Sequence, residues 1–165
     1  MALGKLFVIL GALLTLVGTY VFAIYGAVGV VGSGIGFILN FLDLFANAAL
    51  YAGFAGIEVY LFYILLVVFA IFLISGILQL VGIKSKVVGL IFSLFPIGVG
   101  VMFLLLFYTT ILGPISGLFG LFFIGEQFGN IFPILVDIGG GTGIGAFFLL
   151  GGGALGVIST FLPRE

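Results

Sequence analysis

The residues of this sequence that could carry acid–base or metal chemistry are four carboxylates in two apolar segments. Asp43 and Glu58 belong to the first segment, and Glu126 and Asp137 belong to the second. Carboxylates bind hard cations such as Ca²⁺, and within a membrane they relay protons or line a cation path. Their spacing matches no known calcium loop, so we predict no metal site. They remain the acidic candidates for a small oligomeric cation channel or carrier.

Other catalytic chemistry is excluded more firmly by what the chain lacks. It contains no histidine and no cysteine, so the commonest general base and the thiol nucleophile are both missing. The run GGGTGIG at 139–145 has no following lysine and cannot be a phosphate-binding loop. We therefore predict no catalytic residue, no cofactor and no enzyme activity, and the net charge of −1 argues against a nucleic-acid partner.

The composition predicts the elements that must position these carboxylates. Of 165 residues, 64% are hydrophobic and 5% are charged, which is typical of an integral membrane protein. Continuous apolar runs favour helices over alternating barrel strands, because backbone amides in lipid need partners within their own segment. We expect an all-α fold with one transmembrane domain over 1–165, in which four spans cover about 6–30, 59–83, 87–112 and 142–162.

The basic residues predict how these spans are oriented. The four cations are Lys5, Lys84, Lys86 and Arg164. An even number of predicted spans separates each basic site from the next, so all four lie on one side of the membrane. The positive-inside rule makes that side the cytoplasm, with both termini inside. A competing topology treats 36–58 as a fifth span, but it would bury Asp43 at a cost of about 2.5–3.5 kcal/mol.

The two outer connections, 31–58 and 113–141, are nearly as apolar as the spans. In the first, a thin polar stripe of one helical face recurs at helical spacing, formed by Gly36, Asn40, Asp43 and Asn47. Both connections are expected to contain short helices. These helices either rest in the outer headgroup layer or pack on each other and on partner chains as an outer cap. The absence of a basic face favours the cap.

Glycine spacing predicts where helices approach each other closely. One face of span four carries Gly141, Gly145, Gly152 and Gly156, and span one carries a sparser line that includes Gly11 and Gly18. Small residues four apart let helices pack tightly where lipid and leucine are equally apolar. We expect spans one and four to be neighbours and these glycines to form a helix-packing interface.

Together these patterns favour a non-catalytic structural or accessory subunit of a larger membrane assembly, joined to its partners through the glycine face of span four and the apolar outer helices. A respiratory complex, a surface-layer anchor and a virion envelope all fit, in a plasma membrane or an envelope. The expected partners are the lipid bilayer and other membrane subunits or further copies of the chain, with no soluble substrate. The absence of cysteine, tryptophan and histidine, with little asparagine and glutamine, favours a hot or acidic habitat and an archaeal or viral source.

Overall fold

The computed structural model describes residues 1–27 and 29–165. Its helices are α1 (Leu3–Leu16, continued by a wider π-helical turn at Val17–Val21), α2 (Gly34–Ala46), α3 (Ala48–Ala55), α4 (Val59–Gln79, continued by a 3-10 turn at Leu80–Ile83), α5 (Lys86–Tyr108), α6 (Ile115–Phe123) and α7 (Ile144–Ser159). Its strands are β1 (Tyr25–Ala27), β2 (Val30–Gly32), β3 (Ile124–Glu126), β4 (Asp137–Gly139) and β5 (Thr142–Gly143).

Three helices are long and apolar enough to cross a membrane: Leu3–Val21, Val59–Ile83 and Lys86–Tyr108. The second matches the predicted span over 59–83, and the third ends four residues before the predicted limit of 112. Helix α5 begins where the sequence predicts, because the Ser85 hydroxyl accepts the Val88 amide at 3.4 Å as an N-cap. The chain is therefore a mostly helical membrane protein.

The predicted first span is too long, and the all-α prediction is wrong at this point. The helix ends at Val21, and β1 and β2 form an antiparallel hairpin within the predicted range 6–30. Gly26 has a φ of +140°, which a right-handed helix excludes. Glycine and β-branched residues in this stretch also have low helix propensity and fit a hairpin.

The predicted fourth span, 142–162, begins two residues before α7 and ends three residues after it. Helix α7 has 16 residues, and the preceding chain forms the β4–β5 turn. Gly139, Gly140 and Gly141 have φ values of +147°, +64° and +87°, so this glycine run makes a turn that other residues rarely adopt. Gly141 therefore lies outside the helix, and only Gly145, Gly152 and Gly156 belong to the predicted glycine face.

The five short strands form one antiparallel sheet in the order β3-β2-β1-β5-β4. Tyr25 occupies its centre, where it pairs with Gly32 on one side and Thr142 on the other. The Tyr25 ring packs on Phe103 and Phe107 of α5 with centroid distances of 5.0 and 5.4 Å. The sheet thus joins the connection after α1, which supplies β1 and β2, to the connection between α6 and α7, which supplies β3, β4 and β5.

Helices α1, α4, α5 and α7 pack together, and α2 continues along the other half of α4. Gly34 at the start of α2 lies against Thr19, and Phe45 near its end packs on Tyr63 at 5.4 Å. A break then turns the chain by 97° into α3. Both predicted outer connections contain short apolar helices, α2 and α3 in the first and α6 in the second.

Candidate functional site

The structure does not bring the four carboxylates together. Asp43, Glu58, Glu126 and Asp137 are all exposed and lie on separate elements. Over residues 1–27 and 29–165, no group of three or more Asp, Glu, His or Cys side chains is placed to hold a metal ion. Glu58 precedes α4 without a capping hydrogen bond, and Glu126 pairs through its backbone with Val30.

Asp43 instead connects the two helices of the bent pair. One carboxylate oxygen accepts from the Asn47 amide at 2.8 Å, and the other accepts from the Tyr51 hydroxyl at 2.6 Å. This hydrogen bond to Asp43, followed by burial and the nearby negative charge, raises the pKa of Tyr51 above its ordinary value. Asp43, Asn47 and Tyr51 are spaced four residues apart across the 97° break, so their contacts hold the angle between α2 and α3.

The rest of the polar stripe faces protein backbone. The Asn40 side-chain nitrogen donates to the Ile124 carbonyl at 2.7 Å and lies 3.4 Å from the carbonyls of Leu121 and Phe122. Gly36 lies directly against the Phe123 carbonyl, where no Cβ would fit. Gly36 and Asn40 therefore cover the end of α6 and the free edge of β3. The carbonyls of β3 have no partner strand on that side.

Gln127 connects two loops beside the sheet and is buried. Its side-chain oxygen accepts from the Gly29 amide at 2.7 Å, and its nitrogen donates to the Pro133 carbonyl at 2.8 Å. Asp137 accepts from the Gly139 amide at 2.8 Å, and Tyr108 donates to the Gly139 carbonyl at 3.1 Å. Gln127 is not among the predicted site residues, although an amide side chain in an apolar segment is a signal for irregular backbone that needs partners.

The predicted glycines pack α1 against α7. A Cβ on Gly11 would lie 2.7 Å from the Gly152 carbonyl, and a Cβ on Gly18 would lie 2.8 Å from the Gly145 carbonyl. Gly156 approaches the same region of α1, with its amide 3.0 Å from a Cβ on Gly11. These five glycines are buried, so this face of α7 is occupied by the chain's own helices.

A small polar cluster lies beside this glycine contact. The Gln79 nitrogen donates to the Ser93 hydroxyl at 3.0 Å and to the Gly152 carbonyl at 3.3 Å, while Ser93 donates to Gly89 at 2.6 Å. Gln79 is 1% exposed. Its side-chain oxygen and the Thr15 hydroxyl have no hydrogen-bond partner among the described residues.

The four basic residues meet at one end of the helix bundle, called the basic end below. The Gly4 amide donates to the Pro163 carbonyl at 2.9 Å, which brings Lys5 near Arg164. The Lys86 ammonium donates to the Leu162 carbonyl at 3.2 Å, which adds the α4–α5 connection with Lys84. The sheet lies toward the opposite end, called the sheet end.

Exposed apolar side chains cover the connections at the sheet end. The outer apolar surface consists of Phe54 (75% exposed), Ile111 (75%), Phe128 (60%) and Ile131 (70%). A cleft of about 410 Å³ adjoins Phe54 between α3 and α6, and Gly117 lies in its wall with open space where a Cβ would be. Large apolar side chains exposed on connections are candidates for contact with lipid or with another protein.

The fold and these sites define a helical integral membrane protein with a small β-sheet at one end. Comparison of the chain with protein-family models, curated proteins and solved structures finds no match.

Proposed function

We propose that this chain is a non-catalytic structural or accessory subunit of a larger membrane assembly, and that it contacts its partner through the outer apolar surface. The observation that carries the proposal is the exposure of Phe54, Ile111, Phe128 and Ile131 on connections rather than on long helices. Exposure of such large apolar side chains to water is unfavourable in free energy, so lipid or protein is expected to cover them.

The proposed topology has four spans with both termini in the cytoplasm. The gathering of Lys5, Lys84, Lys86 and Arg164 at the basic end supports it through the positive-inside rule. Phe103 lies 17 residues after Lys86, about 25 Å along the helix, so Tyr25 and the sheet lie near the far side of a hydrocarbon layer of about 30 Å. Helices α1 and α7 would then cross together with the sheet above them.

The α2–α3 pair is assigned to the outer side in this topology. The alternative fifth span over 36–58 would need these helices to cross as one unit, and their 97° bend opposes that. The bend also keeps Asp43 and Asn47 exposed on the same side as Glu58. This arrangement avoids burying a carboxylate in hydrocarbon.

A protein partner fits the outer apolar surface better than the headgroup layer does. The neighbouring connections carry Glu126 and Asp137 and no lysine or arginine, whereas helices that rest on anionic membranes carry a basic face. The cleft beside Phe54 offers a pocket for a partner's apolar side chain, and anchors in such pockets dominate binding energy at protein interfaces. The glycine face of α7 is already occupied by α1 and α5, so the partner contact is placed on the cap.

The experiment is gentle detergent extraction followed by sizing and mass spectrometry of the wild type and two double variants. Phe54→Ala with Ile131→Ala should release a co-purifying chain, while the matched control Leu10→Ala with Leu13→Ala should retain it. Leu10 and Leu13 are also exposed, but they lie on a spanning helix. A wild-type chain that extracts alone and monomeric would contradict the proposal, as would retention of the partner by the cap variant.

The competing function is a small oligomeric cation channel or carrier that uses Asp43 and Glu126. It has less support, because Asp43 is engaged by Asn47 and Tyr51 and the acids are not gathered. Cation flux in reconstituted vesicles that disappears in an Asp43→Asn, Glu126→Gln variant would favour the channel over the structural role. No flux, or flux unchanged by the variant, would remove it.

A further inference from the structure

We propose that the cleft between α4 and α5 binds one anionic phospholipid, with its phosphate at Lys84 and Lys86 and one acyl chain along the helices. The cleft has a volume of about 440 Å³, within the roughly 300–1,000 Å³ typical of small-molecule sites. Its walls include Leu65, Val68 and Phe69 of α4 and Leu94, Gly98 and Met102 of α5. These walls are apolar and belong to two spanning helices, so a hydrocarbon chain is the matching occupant.

The shape of the cleft follows from contacts at its two ends. At the basic end, α4 and α5 nearly touch, since a Cβ on Gly82 would lie 2.9 Å from the Gly89 Cα. Toward the sheet end, Phe119 of α6 packs on Phe69 at 5.9 Å and closes the cleft. The helices therefore separate between these points and leave a groove open to the side.

Gly98 indicates that this space is not a packing site for the chain itself. A Cβ at Gly98 would meet nothing within 4 Å, in contrast to the buried glycines of α7. Glycine inside a helix costs about 1 kcal/mol relative to alanine. A side chain here would narrow the groove, so the glycine keeps the groove open along α5.

Charge complementarity selects the headgroup. Lys84 lies on the connection between the same two helices, Lys86 begins α5, and both are exposed. The first turn of α5 adds backbone amides and the positive end of the helix dipole. Basic sites between transmembrane helices on the cytoplasmic side bind anionic headgroups.

The distances fit a phospholipid of ordinary length. Ile91 is the lining residue nearest the basic end, and it lies five residues after Lys86, about 7.5 Å along the axis. Met102 lies about 24 Å from Lys86 on the same measure. An acyl chain that starts below a phosphate at the lysines would therefore run through the groove.

The test uses the absence of tryptophan from the chain. Leu94→Trp places one fluorophore on the rim of the groove, and Leu13→Trp is its control, since each lies eight residues from a lysine of the basic end and is exposed. Each variant is reconstituted with equal mole fractions of phosphatidylglycerol or phosphatidylcholine carrying brominated acyl chains. Phosphatidylglycerol should quench the Leu94→Trp protein preferentially, with an apparent affinity roughly 10- to 30-fold higher. The Leu13→Trp protein should show no such preference.

Three further variants make the result specific. Lys84→Gln with Lys86→Gln should abolish the preference at the rim position, whereas Lys5→Gln should leave it. Gly98→Leu should lower quenching by either lipid, because it fills the groove. Equal quenching by both lipids in the Leu94→Trp protein would overturn the proposal. Weak quenching by both lipids, because a helix of another protein covers the groove, would also overturn it.

Discussion

The side-chain amide of Asn40 on α2 donates to the main-chain carbonyl of Ile124 on β3 at 2.7 Å. This contact places a polar atom of the connection between α1 and α4 on the unpaired edge of a strand from the connection between α5 and α7. Gln127 acts similarly on Gly29 and Pro133. The few polar side chains in these apolar connections thus serve irregular backbone that has little access to water, where an unsatisfied carbonyl or amide is costly.

Replacement of Asn40 by alanine should therefore loosen the end of α6 and β3. We expect a loss of about 1 kcal/mol in the free energy of unfolding, the typical net contribution of one intramolecular hydrogen bond. Amide hydrogen exchange in 115–126 should become faster. Ile38→Ala, on the same helix but exposed, is the control and should leave this exchange unchanged. Equal exchange in both variants would contradict the role of Asn40.

Substitution of Gly152 by alanine should destabilise the bundle, whereas Gly98→Ala should not. A Cβ at Gly152 would lie 2.7 Å from the Gly11 carbonyl, while one at Gly98 meets open space. Overpacking of this kind costs about 1–3 kcal/mol. Unfolding in detergent micelles measures both changes, and equal stability of the two variants would show that α1 and α7 are not in close contact.

Gln79 provides a prediction about burial in the basic half of the bundle. Gln79→Glu should lower the free energy of unfolding by about 3–5 kcal/mol at neutral pH, because it places a carboxyl with no cationic partner in a fully buried position. Gln79→Met, of similar size and apolar, should cost less than about 1.5 kcal/mol. Unfolding in detergent micelles compares the two, and a Glu variant as stable as the Met variant would mean that water reaches this position.

The Asp43–Tyr51 contact should make the α2–α3 bend sensitive to high pH. The hydrogen bond to Asp43 raises the pKa of Tyr51, so its contribution to stability is fully present below the unfolded value of about 10 and is lost as the pH rises through the folded value. Exchange of the backbone amides of residues 47–55 should accelerate in the wild type once the pH exceeds the folded pKa of Tyr51. Tyr51→Phe should show fast exchange already at neutral pH, and an identical pH profile in both proteins would refute the contact.

Sequence reasoning reached the features that follow from composition and periodicity. Apolar length identified α4 and α5 nearly to the residue, and charge position anticipated the gathering of Lys5, Lys86 and Arg164 at one end. Helical spacing also revealed the stripe that contains Asn40. These signals are local, so they can be read without knowing what the element packs against.

The sheet could not be predicted in the same way. Its strands have two or three residues each, and none is long enough to show the alternation that identifies a strand. Two of the four pairings, β1 with β5 and β2 with β3, join distant segments of the chain, such as Tyr25 with Thr142.

The four-span topology requires the basic end and the sheet end to lie on opposite sides of the membrane. Labelling of single cysteines in this cysteine-free chain, at Ser85→Cys and Phe128→Cys, tests this with a membrane-impermeant reagent in intact and permeabilised cells. We predict labelling of position 128 in intact cells and of position 85 only after permeabilisation. Labelling of both positions from the same side would contradict the four-span topology and the cap proposed from it.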